Sequence, residues 1–92
     1  MVFYEQLYYF AEEKPELLKA YLLLALATEL AVPKTLQRLH QDLWYDDIDM
    51  VKQYIENASD EGEFARLQTR LRAYELICKT IWEMNPAYTI PV

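Results

Sequence analysis

His40 and Cys78 are the only histidine and the only cysteine in this 92-residue chain. A typical zinc site takes three or four nitrogen or sulfur ligands, so these two cannot close one. As a nucleophile and base they would need a reactive, accessible thiol. Cys78 instead falls on an apolar seam, where a thiol packs as a small inert hydrophobe. His40 is expected as a partly exposed side chain beside Leu36, Leu39 and Leu43. Carboxylates are abundant, with eight acids and one base, Lys52, between positions 42 and 63. Paired acids run glycoside or phosphoryl chemistry only where a concave site splits their pKa values. Asp46, Asp47 and Asp49 are expected at a helix start, where acids serve as caps and answer the helix dipole. Asp47 and Asp49 begin the spacing of a calcium loop, but Val51 stands at the third ligand position and no glycine follows. The single glycine, Gly62, excludes the dinucleotide fingerprint and the phosphate loop. The single serine, Ser59, lies outside any nucleophile elbow. The expectation is a protein with no catalytic residues, no cofactor and no metal.

Pro15, Pro33, Pro86 and Pro91 punctuate the chain, and no flexible linker or repeat interrupts it. Residues 3–13 carry apolar side chains at 3, 4, 7, 8, 10 and 11, a helical period. Pro15 suits the first turn of a second helix, expected to run to about Ala31. Positions 20–27 of that helix are apolar on every side, which predicts a central helix surrounded by others. Pro33 opens a third helix with Leu36, Leu39 and Leu43 on one face. Asp46 or Asp47 is expected to cap a fourth, with Ile48, Val51 and Ile55 inward. Asp60 with Glu63 forms a capping box for a long last helix ending near Met84. Pro86 and Pro91 keep residues 85–92 out of helix, as an extended tail. The predicted fold is all-α: a compact bundle of four to five helices over residues 1–84, plus that tail.

On the last helix Phe64, Leu67, Leu71, Tyr74, Cys78 and Ile81 are spaced 3, 4, 3, 4, 3, a heptad seam. Such a seam serves either packing within one bundle or a homodimer through positions 64–81. Leu76, Ile77 and Trp82 widen it, so the helix is either buried on two sides or shared with a partner.

Charge and aromatics indicate what the surface is for. The net charge is −6, and the 42–63 block alone carries −7. That disfavours direct binding to nucleic acid or anionic membranes. The most apolar stretch, 17–32, is too short and too interrupted to span a bilayer. A lone cysteine and a start without signal-peptide features fit a cytoplasmic protein. The acids Asp42, Asp46, Asp47, Asp49, Glu56, Asp60, Glu61 and Glu63 form one candidate partner-binding face. It could imitate nucleic-acid phosphates and occupy the basic groove of a nucleic-acid-binding protein, by analogy with small phage-encoded inhibitors. Tyr4, Tyr8 and Tyr9, crowded beside Phe3 and Phe10, form a second candidate surface, since tyrosine packs its ring and keeps its hydroxyl wet. The expected function is a small regulator, inhibitor or assembly subunit that docks on a larger protein. Arg66, Arg70 and Arg72 form the one basic cluster, expected to pair with the acids or face solvent.

Residues 27–43 give the alternative. The run Ala27-Thr28-Glu29-Leu30-Ala31-Val32-Pro33-Lys34-Thr35-Leu36 resembles the helix-turn-helix of DNA-binding repressors over about twenty positions. The resemblance implies Leu30 and Val32 in the core, and Thr35 and Arg38 facing the major groove. Ala31 stands where that family has its turn glycine.

Overall fold

Each helix begins where the local chemistry allows and stops where it fails. A computed structural model describes residues 2–90 as helices and turns with no strand among them. Helix α1, Val2–Glu13, buries Phe3, Leu7 and Ala11 at a spacing of four, one face of a helix. Pro15 opens a short 3-10 turn, Pro15–Leu17, that leads into α2, Leu18–Ala27. Helix α2 ends four residues before the expected Ala31. Thr28 Oγ1 donates to the Leu24 carbonyl at 2.9 Å, drawing the side chain into competition with the backbone ladder. Glu29 then takes φ 59°, a left-handed conformation that costs a side-chain-bearing residue about 1–2 kcal/mol. The Ala31 N–H returns to the Ala25 carbonyl at 3.1 Å, which closes the helix end. Val32 is extended, as a residue before proline must be, and α3 starts at Pro33.

The largest departure lies between the third and fourth helices. Helix α3, Pro33–Asp42, runs through a π turn, Leu43–Asp47, directly into α4, Ile48–Glu56. Asp47 has helical φ and ψ of −69° and −38° and its side chain caps nothing. The expected caps at Asp46 and Asp47 are therefore absent, because the helix never restarts. The extra residue of a π turn shifts the helical phase. It lets Leu36, Leu39 and Leu43 before it, and Ile48 and Val51 after it, all reach the interior.

Helix α5, Glu61–Met84, starts where the sequence indicates, with Asp60 accepting the Glu63 N–H at 2.8 Å, but the returning bond of the expected capping box, from the Asp60 N–H to the Glu63 side chain, is absent among the described residues. It is the axis of the bundle and packs against every other helix. Leu67, Cys78 and Ile81 of the heptad seam are buried and Leu71 and Tyr74 half-buried, while Phe64 faces out. Ala73, Ile77 and Thr80 are buried beside them, so the seam is consumed on two sides within the chain. Helix α2 is not the central helix that its composition predicts. Leu18, Tyr21, Leu22 and Ala25 point inward, but Ala20, Leu23, Leu24 and Ala27 are exposed. The tail is not extended throughout as expected: Asn85 and Ile90 are extended, a 3-10 turn, Pro86–Thr89, lies between them, and positions 91–92 lie outside the described residues. It folds back onto α3, where Gln37 donates to the Ile90 carbonyl at 2.8 Å.

Candidate interaction surfaces

The acidic block does not form one face. Asp60, Glu61 and Glu63 sit at the start of α5, where a cap and the positive end of the helix dipole account for them. Glu56 lies at the end of α4. Asp42 and Asp46 are exposed and one turn apart along the continuous 33–56 helix, with Asp47 beside them. Asp49 belongs to another side, with Trp44, Tyr45, Lys52 and Glu75 around a shallow depression. Arg38 reaches Asp42 at 3.6 Å along the same helix, an exposed pair of little energetic weight. Asp47 is half-buried. Its carboxyl is held above the ordinary carboxylate value by burial first and then by the fields of Asp42 and Asp46.

The tyrosines of α1 divide. Tyr8 packs against Tyr74 with ring centroids 5.8 Å apart. Burial, followed by the fields of Tyr74 and Asp47, pushes the Tyr8 phenol up to about 12. Tyr4 tilts against Phe3 at 5.2 Å and is also half-buried. Only Tyr9 stands out, half exposed, and it borders a depression with Phe10, Tyr21 and Leu24. There the exposed side of α1 meets the outward side of α2.

That outward side is the surface the sequence reading missed. Leu23 is 50% and Leu24 60% exposed, with Leu17 before them and Leu30 and Val32 after the helix end also open. No acidic side chain lies within α2, and Lys19 is its one charge. The signal was the absence of any polar side on a ten-residue helix. That pattern predicts burial on all sides, yet this chain covers only half of it. Leu30 and Val32, which the helix-turn-helix resemblance placed in a core, are exposed, and Ala31 is buried instead. Thr35 is engaged as an acceptor for the Val32 N–H.

His40 and Cys78 do come together, on a groove between α3 and α5. His40 is not a partly exposed side chain: only 7% of it is accessible, with Trp44 of the π turn stacked on its ring and α5 and the tail turn both packed against α3. Its ring stacks on Trp44 at 6.0 Å, and burial lowers its proton affinity. Cys78 is buried, and burial, with the field of Glu75, pushes its thiol up to about 12. A thiol so raised stays protonated at neutral pH and is a poor nucleophile. No group of metal-ligating side chains occurs among the described residues, and no helix among them is long and apolar enough to cross a membrane.

Comparison with protein-family models, with curated proteins and with solved structures finds no match. The class that the fold itself defines is an all-α bundle in which α5 is the axis and α2 an outer helix.

Proposed function

We propose that this chain is a small interaction module that docks on a larger protein, acting as a regulator, inhibitor or assembly subunit rather than as a catalyst. The observation that carries this reading is the outward side of α2, where Leu23 and Leu24 are at least half exposed on a helix that has no acidic residue and whose one charge is Lys19. A row of exposed leucines on the most apolar helix of a small domain marks a surface meant to be covered. Tyr9, at its edge, adds the amphipathic ring typical of interface centres. Asp42 and Asp46, exposed one turn apart on the continuous 33–56 helix, supply a charged surface that would speed encounter with a basic partner and could imitate phosphates.

The test compares three forms of the chain by affinity capture from a nuclease-treated lysate of its native host. These are the wild type, Leu23→Asp/Leu24→Asp, and Asp42→Asn/Asp46→Asn. The leucine variant should keep its helical circular dichroism and lose the captured protein. The aspartate variant should keep the partner at low salt and bind it with weaker salt dependence. Retention of the same partner by the leucine variant would sink the docking reading.

A further inference from the structure

A groove between α3 and α5 has a volume of about 420 Å³ and is lined by His40, Trp44, Tyr45, Cys78 and Trp82, with Glu75, Lys79 and Thr89 at its rim. That volume falls within the range of small-molecule sites, which combine aromatic walls with a few placed polar groups. Trp44 is 51% and Trp82 55% exposed, so both indoles offer surface rather than filling a core. His40 Nδ1 is enclosed and has no hydrogen-bond partner. A buried lone pair without a partner costs less than a buried N–H without one, and on that ground we assign the proton of the neutral ring to Nε2. The imidazole is then a donor without a protein acceptor at the groove lining. Glu75 and Lys79 oppose each other in sign, Lys79 also reaches Glu83 at 3.9 Å, and the whole chain carries −6. Nothing at the groove favours an anion.

We propose that this groove is a binding site for an uncharged, planar aromatic compound, stacked against Trp44 and Trp82, whose carbonyl oxygen accepts a hydrogen bond from His40. The site lies apart from the α2 surface and does not depend on the docking reading. A cation held by the same aromatic walls is the competing occupant, since tryptophan faces attract quaternary ammonium groups.

The chain has two tryptophans, and both line the groove; Trp44 also borders the depression around Asp49, so a shift of both indole N–H signals together in a ¹H–¹⁵N correlation spectrum marks this site. The probes are quinolin-2-one, a bicyclic ring with a carbonyl acceptor; indole, a bicyclic ring without one; and choline. Quinolin-2-one should shift both indole signals saturably with a dissociation constant below about 1 mM. Indole should bind about fivefold more weakly, the usual weight of one neutral hydrogen bond. His40→Phe should bring the two probes to equal affinity. Trp82→Ala, at an exposed position, should keep the fold and abolish binding, read from the remaining Trp44 signal. If His40→Phe does not fold, the probe ratio and Trp82→Ala decide. The proposal is overturned if quinolin-2-one gives no saturable shift, if it binds no better than indole, or if choline alone binds.

Discussion

Leu22 and Leu24 lie two positions apart on one helix and make the sharpest test of how α2 sits in this protein. Leu22 is fully buried and Leu24 is 60% exposed. Leu22→Ala opens a cavity where the neighbours are close-packed, a change that costs about 2–5 kcal/mol. For a domain of this size each kcal/mol lowers the melting temperature by about 4–8 °C. A mid-range loss of about 3 kcal/mol therefore predicts a fall of about 12–24 °C. Leu24 has only two-fifths of its surface removed from water. That share of the roughly 1.5–3 kcal/mol for a fully buried leucine is about 1 kcal/mol at most. Leu24→Ala should then lower the melting temperature by no more than about 8 °C. The helix propensities of leucine and alanine are close enough to leave this contrast intact. The assay is thermal unfolding followed by circular dichroism at two protein concentrations tenfold apart. Equal losses for the two variants would refute the placement of α2 at the edge of the bundle. If the Leu24 loss also grew with protein concentration, self-association would be covering the face.

Asp60→Ala removes the side-chain acceptor of the Glu63 N–H and should cost about 1 kcal/mol, whereas Asp60→Ser should retain most of the stability, as read by urea unfolding. Asp47 has a folded pKa above its ordinary 3.8, so the folded state binds its proton more tightly than the unfolded chain does. Its contribution is fully present below about pH 4 and is lost as pH rises through the folded pKa. Asp47→Asn should therefore be more stable than the wild type at pH 7 and should flatten the stability profile above pH 4. A variant less stable at pH 7 would contradict the assignment. Cys78, buried with its thiol near 12, should resist iodoacetamide at pH 8 in the native protein and react at once in urea, with mass as the readout. Rapid native labelling would show that the thiol is open.

The parts of the fold that the sequence made legible are those where one local rule acts without competition. The Asp60 cap, the run of α5 to Met84 and the opening of α3 at Pro33 each follow from a single residue's chemistry at a helix end. The misplaced features involve two rules in conflict, or a choice made by tertiary packing. Asp46 and Asp47 look like caps because acids are common at helix starts, but continuity of the 33–56 helix lets Leu43, Ile48 and Val51 all bury, and that gain outweighs a restart. His40 reads as a surface residue until Trp44 of the π turn stacks on it and α5 and the tail turn pack against α3. The candidate sites divide on the same line. Which acids are clustered could be counted along the chain, but only the fold separates Asp49 from Asp42 and Asp46 and assigns Asp60, Glu61 and Glu63 to a helix end.

Helix α2 carries the consequence furthest. Its composition fits a helix covered on every side, and a ninety-residue bundle has one such position on its axis. The 24-residue α5 takes that position, because its length lets it touch all the other helices while its Arg66, Arg70 and Arg72 remain in water. Two helices thus compete for one axis, and the shorter is displaced to the edge with its apolar side still present. The exposed leucines are therefore more than an accident of a small core. They are the half of an apolar helix that this chain leaves uncovered, the side that the docking proposed above would cover.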